Sequence, residues 1–440
     1  MKSVAALCIA LVCLVVLTHA QKPSPTTDLR IAASKGDWPT VELLATKALR
    51  TDKNDRLASL LLSMSQLRQG KDQEALRSAH RTIALDSSMM QAWLLASECE
   101  AQLNHANASI SLLLAAQKRF PDSLQPTWAL GMAYSKAGRC AEAITPLEET
   151  MFRRPELVGV VQQLAHCYFI TGQLNESAEL YERVVDRDPQ NISNRLAYGE
   201  VLLARRDLDN AAVQFRNVIE REPKQTNAYL ALTSILQEQK KTEEALAISR
   251  RLTIIDPNDA MGWFNVGLLS LTLKQTDSSV RAFKRAIALR PNYSEAYFNL
   301  ALAYDEKGFG EDAIQSFKRC ASLNPLLAPD AYNSLAIIYR KEGRFDESVA
   351  THAQAIALRD TSAILHASRI NTYFDAERCT DASKLLVTTR ERFPDSPEVL
   401  YACARCLLRN GERKEVELIV AKLDVISPHL ASELRRMMNL

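Results

Sequence analysis

Two pairs of cysteines have a spacing that invites chemistry: Cys140 and Cys167 stand 27 residues apart, and so do Cys379 and Cys406. Thiols at a repeated interval can be joined by oxidation or can share a metal ion. Cys403 and Cys406 also spell a C-x-x-C, the spacing of redox pairs and zinc sites. A zinc site of that kind needs a second such pair close by, and a redox pair follows a strand-to-helix turn; the residues around Cys403 supply neither. Other chemistry is sparse. The seven histidines are scattered, with His166 and His352 where ordinary packing residues would sit. Gly70-Lys71 lacks the earlier glycine and the hydroxyl of a phosphate cradle. Neither H-E-x-x-H nor G-x-S-x-G occurs. No enzyme activity, cofactor or metal is therefore expected.

The elements that position these residues are set by a clock. Pro121, Pro155, Pro189, Pro223, Pro257, Pro291 and Pro325 are each 34 residues apart. Proline has no backbone N–H to give and pushes the residue before it out of the helical region, so each one stops a helix. Between stops the pattern Tyr297, Leu300, Ala301, Tyr304, Gly308, Ala313, Phe317, Cys320, Pro325 fills positions 4, 7, 8, 11, 15, 20, 24, 27 and 32 of a 34-residue unit. Spacings of three and four put the first group on one face of one helix and the later group on one face of a second, with glycine as the turn. Other units agree in register: Leu130, Gly131, Tyr134, Gly138, Ala143; then Tyr198, Gly199, Ala211, Phe215; then Trp263, Gly267, Phe283, Ala286.

This pattern resembles the tetratricopeptide repeat. The resemblance implies an all-α, right-handed solenoid of helix-turn-helix units, about twelve of them between Thr26 and Pro428. One inserted residue near Ala328–Pro329 shifts the register, and the unit with Arg369 at a leucine position is the least faithful. The array is expected over 28–428, with 429–440 as a capping helix on which Leu430, Leu434 and Met437 recur at helical spacing. Such repeats also form part of the transferase that adds N-acetylglucosamine to serine and threonine and of an endoplasmic-reticulum co-chaperone. The likeness is to their repeats: no His-Pro-Asp marks a J domain, and with twelve residues after Pro428 no transferase domain is expected.

In that family the first helices line the concave wall through positions 2, 5, 6, 9, 12 and 13. Three successive units then place Phe264, Asn265 and Leu268, next Phe298, Asn299 and Leu302, next Asn333, Ile337 and Arg340 on the groove. Amides on adjacent rungs would hold an extended peptide backbone while apolar side chains take its side chains. The alternative is that each phenylalanine packs between neighbouring units. No unit has both lysine at position 5 and asparagine at position 9, which argues against a clamp for an acidic C-terminal tail. With 54 basic against 52 acidic residues there is no net field for nucleic acid or an anionic membrane, so the partners expected are proteins or peptides.

The repeat register also sorts the cysteines. In both pairs the first falls at position 17 of one unit and the second at position 10 of the next, on one edge of the stack, which predicts the disulfides Cys140–Cys167 and Cys379–Cys406. Disulfides belong to oxidising compartments, and the chain opens accordingly. Lys2, an apolar run from Val4 to Leu17 and Thr18-His19-Ala20 predict a signal peptide over 1–20, cut before Gln21, with 21–27 as a flexible tether. The run is short for a membrane span. The secretory pathway or the cell exterior is the expected destination, and the cytosol if the leader is not used. Sequons at Asn107, Asn175, Asn191 and Asn292 fall in turns or at helix starts, where a glycan is accommodated.

Overall fold

The computed structural model describes residues 25–438, and every regular element among them is an α-helix. The expected signal peptide lies outside the described residues. Two units divide the chain, Met1–Arg221 and Glu222–Leu440.

The first unit holds six hairpins. They are α1 (Pro25–Lys35) with α2 (Trp38–Thr51), α3 (Arg56–Arg68) with α4 (Asp72–Leu85), and α5 (Met90–Gln102) with α6 (Ala106–Arg119). Next come α7 (Leu124–Lys136) with α8 (Cys140–Arg153), α9 (Val158–Ile170) with α10 (Leu174–Arg187), and α11 (Ile192–Ala204) with α12 (Leu208–Arg221). The second unit begins with α13 (Thr226–Glu238) and α14 (Thr242–Ile255), α15 (Ala260–Thr272) and α16 (Thr276–Leu289), and α17 (Ser294–Glu306) and α18 (Gly310–Leu323). It ends with α19 (Ala328–Lys341) and α20 (Phe345–Leu358), α21 (Ala363–Asp375) and α22 (Ser383–Arg392), α23 (Pro397–Arg409) and α24 (Arg413–Ile426), and the closing helix α25 (Pro428–Met438). Within each unit hairpins stack in chain order, a helical-repeat solenoid.

The proline clock acts as the sequence implies. Phe120, Arg290 and Asn324, each just before a stop, have ψ of 63°, 90° and 103°, outside the helix, while their N–H groups still reach back four residues. Gly308 makes the inner turn at φ 77°, the left-handed region that glycine enters without a Cβ clash. Small residues at position 8 set the helix spacing. At Gly267 a Cβ would come within 2.6 Å of the Phe283 ring, so the ring occupies the room that glycine leaves. Phe215, Phe283 and Phe317 are almost fully buried in this way.

Polar contacts tie several hairpins to the turns that enter them. Arg187 and Arg221, in the last turns of α10 and α12, donate to the carbonyls of Pro155 and Pro189 at 3.0 and 2.8 Å. At position 4 the indoles of Trp93 and Trp263 donate to carbonyls six residues back, Ser87 at 3.1 Å and Pro257 at 3.0 Å.

Three places depart from the expected outline. The helix α1 starts at Pro25, so it takes in 25–27 of the expected tether; proline is favourable at a helix start because its missing N–H has no partner there anyway. The hairpin with Arg369 is irregular: α22 has 10 residues where its neighbours α20 and α24 have 14. Arg369 also leaves its Nε buried without a partner. The closing helix begins one residue earlier than expected, at Pro428, and seals the last hairpin through Ala431 and Leu434, both fully buried.

Candidate protein-interaction surface

Three first helices, α15, α17 and α19, carry the residues expected to line a groove. Leu302 is exposed there, while Leu268 and Ile337 are half-buried. The phenylalanines divide their surface. Phe264 packs its ring 5.0 Å from Tyr293 and 5.7 Å from Phe283, and Phe298 stands edge-on 5.2 Å from Phe317, yet both remain half-buried rather than buried. Their packing is with second helices and turns behind the face.

The asparagines differ in what they do. Asn299 donates to the Glu295 carbonyl of its own helix at 2.8 Å, and Asn265 is half-buried beside Phe264. Asn333 sits one turn before Ile337 where the packing register places Phe298 one hairpin earlier, because α19 gains one residue at its start. An amide in a phenylalanine's place is driven against apolar neighbours, and its Oδ1 is buried with no hydrogen-bond partner.

Further along, arginines take over the first-helix face. Arg340 pairs with Asp375 at 3.1 Å. Arg405 lies 3.8 Å from the Phe374 ring centre and donates to Asn371 at 2.9 Å. Arg340 was placed on this face by the sequence, but the stacking of Arg405 was not, since Arg405 and Phe374 are 31 residues apart and meet only once helices α21 and α23 are aligned.

Tetratricopeptide-repeat family models match residues 60–123, 159–191, 202–263, 267–308, 294–325, 331–363 and 368–415, well over half of the chain. The chain belongs to the tetratricopeptide repeat family. Among solved structures it is similar to the C-terminal part of a tetratricopeptide repeat-containing protein from Cytophaga hutchinsonii, at 15% identity over 55% of this chain and 98% of that one, TM-score 0.49. It is also similar to Naa15/Naa10 bound to HypK-THB, at 14% identity over 91% of this chain and 67% of that one, TM-score 0.41. YrrB, described as a tetratricopeptide repeat protein with an unusual peptide-binding site, matches at 16% identity over 42% of this chain and 94% of that one, TM-score 0.38. No curated protein matches the sequence.

The repeat lattice brings both cysteine pairs together. Cys379 and Cys406 form a disulfide with Cα atoms 5.1 Å apart, joining the turn before α22 to α23. In the equivalent pair the Cys140 and Cys167 sulfurs are 2.9 Å apart as thiols. Cys406 therefore bonds to the preceding hairpin and not to Cys403, which is fully buried in α23. Burial pushes the Cys403 and Cys99 thiols up to about 12, and Cys320 to about 11. His352 is fully buried, its Nδ1 at 3.0 Å from the Ser348 carbonyl. Burial drives it down to about 4, with Arg340 and Arg369 adding to the effect against the Ser348 bond. These three thiols and this imidazole are thus held neutral in the core.

Among the sequons, Asn107, Asn175 and Asn292 are exposed, whereas Asn191 caps α11 by accepting from the Asn194 N–H at 3.1 Å. Among the described residues no group of three or more metal-ligating side chains comes together, and no helix is long and apolar enough to cross a membrane.

Proposed function

We propose that this chain is a non-enzymatic scaffold that holds extended polypeptide segments against the first-helix face of α15, α17 and α19. The observation that carries this reading is Asn333. The residue is only half-buried, but its Oδ1 faces inward without a partner, so nothing holds the amide there and a turn of the side chain brings it to a backbone N–H of a bound segment. Leu302, exposed on the helix before, supplies an apolar contact for a side chain of the same segment. The buried thiols and the buried His352 support a non-catalytic role, since none of them is presented to a substrate in reactive form.

The test is affinity. Peptides selected from a random display library against the full chain should bind at least about tenfold more weakly to Leu302→Asp and to Asn333→Ala, a loss of about 1.4 kcal/mol. Circular dichroism should be unchanged in both. Equal affinity for wild type and both variants would overturn the reading.

A second reading places the same scaffold in the lumen of the endoplasmic reticulum, as an accessory subunit presenting clients to an enzyme or chaperone. The Cys379–Cys406 bridge favours it, because such bonds persist in oxidising compartments.

A further inference from the structure

Position 4 carries a flat ring in several repeats, among them Trp93, Tyr229, Trp263 and Tyr297, and the two indoles donate to the carbonyl six residues back. In α11 that position is Arg195. Its Nη2 donates to the Pro189 carbonyl at 3.2 Å, so the guanidinium takes over the indole's hydrogen bond, and its Nη1 donates to Gln214 Oε1 at 2.8 Å. Beside it is a cleft of about 300 Å³ between α10, α11 and α12, lined among others by Glu182, Asp186, Pro189, Arg195, Tyr198 and Gln214.

We infer that this cleft binds one basic residue of a partner polypeptide, with its cationic end at Glu182 and Asp186 and its backbone carbonyl at Arg195. Two features ask for two different groups of the occupant, although Asp186 also lies near enough to Arg195 to favour its charge. Arg195 is only 9% exposed, and its Nε–H is buried with no partner. A buried donor left unmet is unfavourable, so an acceptor belongs beside it. Glu182 and Asp186, by contrast, are exposed carboxylates one helical turn apart on α10, and neither forms an ion pair among the described residues of this unit.

A simple anion meets the first demand and is repelled by the second. A bare amine meets the second and leaves Arg195 unmet. A lysine or arginine residue within a peptide carries both groups, a carbonyl and a cation. Tyr198 adds a ring to the wall, and burial together with nearby Glu182 raises its hydroxyl, which keeps it a neutral donor. The cleft volume sits at the small end of ligand sites, which suits a single side chain. The cleft lies in the first unit against second helices, so the inference stands independently of the α15–α19 face.

The experiment uses the full chain with 15N-labelled arginine, titrated with Nα-acetyl-lysine N-methylamide while the Arg195 Nε–H resonance is followed. That resonance is assigned by its loss in Arg195→Lys. A saturable shift is expected for wild type, at least tenfold weaker in Glu182→Gln/Asp186→Asn, and absent with the norleucine analogue, which lacks the cation. Arg195→Trp restores the residue type of Trp93 and Trp263, so it should fold, fill the cleft and lose the binding read by calorimetry. The proposal falls if the Arg195 resonance does not move, if the norleucine analogue binds as well as lysine, or if the two carboxylate changes leave affinity untouched.

Discussion

At the scale of single residues the sequence reveals type and register but not partners. His352 could be assigned to an ordinary packing position from the repeat alone, yet its titration depends on burial by neighbouring helices and on Arg340 and Arg369, which no spacing rule supplies. The same holds for Asn333, whose unmet carbonyl follows from the extra residue at the start of α19. His352 offers a sharp test. Its pKa falls from about 6.5 unfolded to about 4 folded, so between these values only the unfolded chain takes up the proton. Its contribution to stability is therefore complete above pH 6.5 and is lost as pH falls toward 4, below which it is level. The shift corresponds to about 3 kcal/mol. Urea unfolding at stepped pH should show that His352→Leu removes this slope, so that the difference between wild type and variant changes by that amount between pH 7 and 4. Parallel curves would place the titrating group elsewhere.

At the scale of elements, hairpin boundaries were legible because proline, the turn glycine and the small residue at position 8 each act through local sterics. The short α22 was not, although Arg369 at a leucine position marked its hairpin as the weakest match. Geometry there depends on the turn from Cys379 to Ala382, and on the Arg378 Nε bond to Asp381 at 2.9 Å, which come into being only after folding. The two cysteine pairs show how far register alone carries. Both come together as positions 17 and 10 require, one as a disulfide and one as thiols 2.9 Å apart. Identical lattice positions imply identical chemistry given an oxidant, and glutathione disulfide suffices: two thiols lose two protons and two electrons, and two glutathione thiols form. Non-reducing peptide mapping of protein from a disulfide-permitting compartment should thus find Cys140–Cys167 as well as Cys379–Cys406. Recovery of alkylated Cys140 and Cys167 beside an intact second bridge would show that the first pair packs without bonding.

For the whole molecule, the fixed 34-residue period says that the chain is an array and not a set of globular domains, and an array distributes its stability locally. Each hairpin of the second unit gains most of its burial from its immediate neighbours, so a defect should spread only a short distance. The Cys379–Cys406 bridge ties the hairpin with the shortened α22 and the unpaired Arg369 Nε to the one that follows. Closing a loop of this length contributes about 3.5 kcal/mol on the chain-entropy model. Replacing both cysteines with serine should therefore lower hydrogen-exchange protection in α21 to α25 by two orders of magnitude or more, about 2.7 kcal/mol or above. Amides of α15 and α16, several hairpins away in the same unit, should keep their wild-type rates. A uniform loss of protection from α13 to α25 would mean that the unit unfolds as one cooperative body, and the nearest-neighbour description would then fail for this chain.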